Sequence, residues 1–575
     1  MKSLGGLASV LLALAGCYTG ASAGSNGDAD TDDPSVAESG GDPTGSNGEA
    51  GDSGEPADPA ATCLDELEPR ALRRLSPEQA QNTVRDLFGV PDLEIPYGDE
   101  SDVITELGVR QLRGTAEAVL GARDAWTADV YGCDTSGPAD DACAETFIRE
   151  FGAKAFRRPL GDAEVDLLMS VYESTVYGEQ LSYADGLDVV LTTMLQSPGF
   201  IYVMESGTPV EGASGTVLEL DGHSLASRLS YFLWNSMPDD ALFAAAESGE
   251  LNTPAGLEAQ VERMLQSPRA QDRIRAMVTH WLHIDGAGLR LVLEELAKEP
   301  DLYPEFSPAL LQAMRIEVEA LVDKALFDDD AGGFEVLMSS REAYVNASLA
   351  ELYGVQGPAD DESWAWVTLP EEERSGLLTR AAFLSVHAHQ RVQSPIYRGV
   401  YVLEEILCAE LGEPPPTAND TPVEDPPDND PDAGEMTIRE MVELRTMNDA
   451  TCATCHALIN PTGYLFEHYD ALGRWRSHEV QSGLEVDAAA ELTMGDVAGP
   501  MPDATTLSKS LVESDDARAC FAKKWAQTAL DTHTFDPCTE EEVVGSFVQS
   551  GDVGALLNGI VGSPAFRYVR VEEEE

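Results

Sequence analysis

The sequence predicts a mainly α-helical protein of several domains, with short β pieces, a duplicated three-helix unit and one small segment marked by a C-x-x-C-H motif. Three observations predict it. The chain has 575 residues, 43% of them hydrophobic, which is enough for roughly three to five cores. Apolar residues recur at three- and four-residue spacing between helix-start and helix-stop residues along most of the length. Strand-like alternation is scarce, and Val217-Leu218-Glu219-Leu220 and Trp364 to Leu369 carry the clearest cases. The net charge of −67 leaves no basic stripe for phosphate contacts, so nucleic acid is excluded as a main partner.

The first sixteen residues read as an address. Lys2 precedes an apolar run from Leu4 to Gly16, and Leu14-Ala15-Gly16-Cys17 has the form of a bacterial lipobox. A signal over 1–16 would be removed and Cys17 lipidated, anchoring the protein to a membrane through its acyl chains. By similarity to such signals, Tyr18 in place of Asp favours the outer membrane of the cell envelope. Residues 17–62 read as a disordered acidic tether, since 18–62 hold ten acids, no Lys or Arg, and many Gly, Ser and Pro.

Helices follow. Ser76-Pro77-Glu78-Gln79 opens one with Ser as N-cap, Pro at the first turn and Gln three residues on, and Gly89 ends it. The same logic gives helices near 143–156, 163–175, 184–195, 222–234, 255–266, 270–283, 307–327 and 397–409. They group into an N-terminal helical domain over 63–127, a helical unit over 140–205 and a central helical domain over 217–346. A further domain spans 372–412 and 436–480, interrupted by a linker at 413–435 with seven Pro, eight acids and no base. A C-terminal unit occupies 500–569. Leu191 to Val203 (LTTMLQSPGFIYV) and Leu557 to Val569 (LNGIVGSPAFRYV) match in pattern, so 140–205 and 500–569 read as two copies of one three-helix unit. Leu265-Gln266-Ser267-Pro268 shows that a Ser-Pro helix boundary alone is common.

The sharpest chemical motif is Cys452-Ala453-Thr454-Cys455-His456. Two thiols one turn apart can form thioethers to haem vinyl groups, and the adjacent imidazole can ligate the iron. One covalent haem c is therefore the expected cofactor, with Cys452 and Cys455 attaching it and His456 as the iron ligand. Zinc would need a fourth, better-spread ligand. A thioredoxin-like pair would need a βαβ context. A plain Cys452–Cys455 disulfide is the main rival.

Several blocks carry a family resemblance: Arg74-Leu75 with Asn82 to Leu87, Ala155 to Leu160, Leu229 to Asp240, Ser394 to Gly399 with Leu407-Cys408, Asn460-Pro461 with Gly463, and Phe466 to Arg476. In this order they resemble planctomycete- and myxobacteria-type exported multidomain proteins of uncharacterised domains with a cytochrome-c-like signature. The resemblance implies no substrate or reaction. Relatives often carry a His shortly before the Cys pair, where this chain has Leu444. Candidates for a sixth iron ligand are Met501, in a Gly-Pro-Met-Pro setting, then His387, His389, His468 and Met494, and an open distal face is the alternative. Arg157-Arg158 and Arg474-Trp475-Arg476 are weighed as haem-propionate or substrate-carboxylate binders against internal ion pairing. No nucleophile elbow, phosphate loop or zinc helix occurs, and no catalytic residue is nominated.

Six further cysteines in an oxidising compartment imply three disulfides. Chain proximity pairs Cys133 with Cys143 and Cys520 with Cys538, leaving Cys63 for Cys408. The function expected is an exported, lipid-anchored redox protein performing electron transfer, or haem-assisted oxidation if the distal site is open, with an envelope or electron-transfer protein as partner. The alternative is an envelope binding or scaffold lipoprotein whose C-x-x-C is a structural disulfide.

Overall fold

Ser76 opens the first long helix, α1 (Pro77–Phe88), after a two-residue strand β1 (Arg73–Arg74). The Ser76 hydroxyl accepts from Gln79 N, the Gln79 side chain accepts from Ser76 N, and Gly89 closes the helix at φ 64. These features come from a computed structural model that describes residues 63–571, except 71, 99–104, 214, 287–291, 329–331, 413–435, 449, 481 and 533. The signal, the tether with Cys17 and the acidic linker lie outside the described residues.

Among the described residues the chain is mainly helical, with four small antiparallel sheets. After α1 come α2 (Glu106–Gly121), α3 (Asp141–Phe156), α4 (Asp162–Glu173), α5 (Tyr183–Leu195), the one-turn α6 (Pro198–Ile201) and strand β2 (Tyr202–Val203). Phe88, Phe147, Phe151, Tyr172, Leu187, Leu191 and Phe200 meet in their core. β2 pairs with β1, Arg73 opposite Val203.

The middle of the chain runs β3 (Gly207–Pro209), β4 (Val217–Leu220), α7 (Gly222–Trp234), α8 (Asp240–Glu247), α9 (Pro254–Leu265), α10 (Pro268–Trp281), α11 (Pro308–Leu326) and α12 (Gly333–Ser339). Then β5 (Glu342–Val345) pairs with β6 (Ala365–Thr368) across α13 (Ala347–Leu352). α14 (Ala381–Val386) and α15 (Pro395–Tyr401) follow, the latter running into a π-helical turn at Val402–Ile406. The helix expected over 397–409 therefore starts earlier, at the Ser394 N-cap, and yields to the π turn before Cys408, whose φ is 49. α16 (Ile438–Thr446) and α17 (Ala450–Tyr464) precede the β7 (Ala490–Leu492) and β8 (Gly499–Met501) pair. The chain closes with α18 (Ala504–Glu513), α19 (Asp515–Leu530), α20 (Pro537–Val548), α21 (Val553–Gly562), α22 (Pro564–Arg567) and β9 (Tyr568–Arg570).

The internal repeat has a structural counterpart. α3–α4–α5–α6–β2 and α19–α20–α21–α22–β9 share one order: three helices, a one-turn helix begun by Ser-Pro, and a strand. At that turn of each copy a buried guanidinium gathers the three equivalent carbonyls, from within the copy in the first case and from α7 in the second. Arg157 donates to the oxygens of Gly199, Phe200 and Tyr202 at 3.0, 3.1 and 2.7 Å. Arg228 donates to those of Ala565, Phe566 and Tyr568 at 2.7, 2.7 and 3.4 Å. A turn this short leaves carbonyls that no helical N–H reaches, and an arginine fork satisfies several at once. At Ser267-Pro268, by contrast, the same dipeptide starts the 14-residue α10.

α7 joins the two copies. Every residue from Ser224 to Trp234 is buried, as befits a helix surrounded by other elements. Its Arg228 reaches the second copy, while Tyr231 packs in the first copy's core and bonds Thr83 at 3.0 Å.

The disulfides correct two of the three expected pairings. Cys133–Cys143 forms, but Cys63 pairs with Cys538 and Cys408 with Cys520. Long-range contacts override chain proximity. Arg570 on β9 donates to Leu64 and Leu67 carbonyls at 2.8 and 2.7 Å, so the residues around Cys63 lie along the C-terminal strand. Lys524 meets Glu405 at 2.7 Å, which seats α19 and its Cys520 on the π turn that leads to Cys408.

Candidate functional site

α17 carries Cys452, Cys455 and His456 on its first two turns, all half-buried. Neither thiol belongs to a disulfide. Cys455 Sγ lies 3.7 Å from the Leu411 carbonyl.

Two glycines set the position of this helix. A Cβ at Gly463 on α17 would stand 1.8 Å from the Pro395 oxygen, and one at Gly399 on α15 would stand 2.3 Å from the Ile459 oxygen. α15 and α17 thus cross backbone to backbone, which only glycine permits. Arg398, fully buried, locks the crossing by donating to four carbonyls: Phe466 and Tyr469 at 3.1 and 2.9 Å, Leu384 and Asp470 at 2.9 and 3.0 Å. Burial lowers its pKa to about 10. Beside it, burial pushes the Glu467 carboxyl up to about 7, and its Oε2 accepts from Gln393 at 2.9 Å.

His456 is held from α16. Its Nδ1 lies 2.9 Å from Asn460 Oδ1, one turn along the same face. Asn460 Nδ2 donates to Thr446 Oγ1 at 2.8 Å, and the Thr446 hydroxyl donates to the Val442 carbonyl at 2.7 Å. Asn460 and Thr446 are both buried. Asn460 belongs to a block quoted above, and its spacing four residues after His456 is a legible signal. Nothing in the sequence singles out Thr446.

Two half-buried thiols outside any disulfide, followed by an imidazole already hydrogen-bonded at Nδ1, suit haem attachment with Nε2 as iron ligand. Each of the five sixth-ligand candidates has its own surroundings. Met494 lines a narrow cleft with Leu403, Leu407, Ala457, Leu458 and Pro461. Leu458 and Pro461 sit about 140–200° around α17 from His456 at 100° per residue, so Met494 faces the back of the helix. Met501 Sδ lies 3.9 Å from Ser510 Oγ. His387 is buried with Nε2 3.1 Å from the Leu282 carbonyl. His389 packs on Tyr397 at 4.8 Å between ring centres. His468 stacks on Trp475, and its Nδ1 donates to the Arg476 carbonyl at 2.9 Å. Leu444 lies on α16, exposed.

Three of the four arginines in these blocks are occupied internally, while the buried Arg476 has no hydrogen-bond partner at Nε or Nη1. Arg157 holds the turn of the first copy, Arg158 forks onto Glu164 at 2.9 and 2.8 Å, and Arg474 pairs with Glu305. Arg476 is buried, with Nη2 3.5 Å from the Glu467 carbonyl. Among the described residues no group of three or more His, Cys, Asp or Glu is arranged to hold a metal ion, and no helix is long and apolar enough to cross a membrane.

Three stretches match known families. Residues 143–205 match PSD5, protein of unknown function (DUF1595). Residues 220–355 match PSD4, protein of unknown function (DUF1592). Residues 374–479, which include α14 to α17, match PSCyt3, protein of unknown function (DUF1588). No curated protein and no solved structure matches the chain. The matched stretches are thus similar to uncharacterised domains of the planctomycete cytochrome-c-like type.

Proposed function

We propose that this protein is an exported redox lipoprotein carrying one covalently bound c-type haem, attached at Cys452 and Cys455 with His456 as iron ligand. The observation that carries the reading is the placement of all three residues on the first turns of α17, with both thiols outside any disulfide and the imidazole bonded at Nδ1. Bound there, the haem would supply one-electron chemistry, or oxidation of a substrate at an open distal face. The protein's own part is to hold α17 rigidly. The Gly399–Gly463 crossing and the four-carbonyl grip of Arg398 fix the helix, and Asn460 orients the ring.

Cys17 would tether the protein to the outer membrane, where an envelope or electron-transfer protein is the partner. The acidic surface favours a cationic one. The test is a pyridine haemochrome spectrum and the intact mass of protein exported from a host with full haem-maturation machinery. A single haem adduct that is lost in Cys452→Ser/Cys455→Ser supports the reading, and an unmodified mass with no haemochrome refutes it.

A further inference from the structure

We infer that Asn460 and Thr446 form a one-way hydrogen-bond relay that fixes the ring tautomer of His456, holding the proton on Nδ1 and the lone pair on Nε2. The inference rests on the reading of His456 as an iron ligand and names the residues that prepare it.

The direction of the relay follows from its far end. The Val442 carbonyl can only accept, so the Thr446 hydroxyl at 2.7 Å donates to it. Thr446 Oγ1 then has only lone pairs left, and the group 2.8 Å away must be the NH2 of Asn460. An amide with its nitrogen so committed presents Oδ1 to the His456 ring at 2.9 Å. Oδ1 cannot donate, so the proton sits on Nδ1, and a neutral imidazole in that state carries its lone pair on Nε2. Turning the amide over would set two acceptors against each other at Thr446. Thr446 and Asn460 are 8% and 2% exposed, so the link between them, which sets the orientation of the amide, is closed to water.

Ligating histidines are held in this way by an acceptor on the ring nitrogen that does not bind the metal. Here the acceptor is a neutral side-chain amide supplied by the same helix and anchored on its neighbour. Asn460 is a positioning residue. A purely structural role, linking α16 to α17, would change stability on substitution but neither the tautomer nor the potential.

Histidine-15N NMR on full-length protein made without haem maturation, recorded above the imidazole titration range, reads the tautomer directly. The His456 signals are identified by their loss in His456→Gln. The expected wild-type ring is protonated at Nδ1. Asn460→Leu and, as a milder second variant, Thr446→Val should give mixed tautomers, while Asn460→Asp should keep the Nδ1 proton. In the haem-loaded protein, Asn460→Asp should lower the midpoint potential, because a carboxylate acceptor makes the imidazole a stronger donor, and Asn460→Leu should raise it. A wild-type ring protonated at Nε2, or a tautomer unchanged in both Asn460→Leu and Thr446→Val, overturns the relay. An Nδ1-protonated ring in a protein that never acquires haem overturns the haem reading and supports the relay.

Discussion

Gly463→Ala probes the crossing on which the candidate site depends. The added Cβ would lie 1.8 Å from the Pro395 oxygen and 2.5 Å from its carbonyl carbon. Real Cβ contacts stay above 3.0 Å, so the two helices must separate locally by about 1.2 Å, the difference between 3.0 and 1.8 Å. The opposing atoms are backbone, in a helix whose Arg398 is bonded to four carbonyls, so no side chain can swing aside. Overpacking of this kind costs about 1–3 kcal/mol, and a rigid neighbour places it at the upper end. Alanine returns up to about 1 kcal/mol of helix propensity. The net expectation is a loss of about 2 kcal/mol.

Gly545→Ala, in the interior of α20, is the control. Its Cβ would meet nothing within 4 Å, so the same substitution should stabilise by about 0.5–1 kcal/mol. Urea unfolding followed by circular dichroism gives both values. Alkylation rates of Cys452 and Cys455 in haem-free protein report whether α17 has loosened, and they should rise only in Gly463→Ala. If Gly463→Ala gains stability as Gly545→Ala does, the backbone crossing is not as described.

Peptide mapping without reduction should recover Cys63 with Cys538 and Cys408 with Cys520, and a Cys520–Cys538 peptide would contradict the fold. Removing the Cys408–Cys520 bridge by a double Ser substitution should cost about 2–5 kcal/mol of stability, read from the urea midpoint. Glu164 receives both donors of the Arg158 fork and the Gly161 N–H, which hold its carboxyl below the usual 4.5. A depressed carboxylate stabilises above its unfolded pKa and loses that stability as pH falls through the folded one. Glu164→Gln should therefore cost up to about 1 kcal/mol at neutral pH after allowing for its exposure. The gap to wild type should vanish in acid, and an equal gap at about pH 7 and about pH 3 would argue against the pairing. Cys17→Ser should move the protein from the membrane fraction to the soluble one without altering its melting behaviour, as fractionation after a high-salt wash would check.

Much of the candidate site was legible because its signals are local. Cys452, Cys455 and His456 occupy consecutive turns of one helix, and Asn460 follows on the same face, so spacing alone places them together. The sixth-ligand candidates were chosen by residue type, which does not report the face of a helix. That is why Met494 sits behind α17. Thr446 was invisible, because it enters only through the packing of α16 against α17.

The sequence by itself determined what depends on neighbours within a few residues: the Ser76 capping box, the Ser-Pro turns and the helical periods. Those follow from torsional preference and hydrogen bonds between residues three or four apart. Only the tertiary structure decided which distant partners met. Arg570 bonded beside Cys63, Lys524 bonded to Glu405, and Arg228 reaching the carbonyls of Ala565 and Phe566 all join segments more than a hundred residues apart. The entropic cost of closing a loop rises only slowly with its length, so proximity along the chain could not foretell the disulfides, and side-chain packing and buried donors chose the pairs.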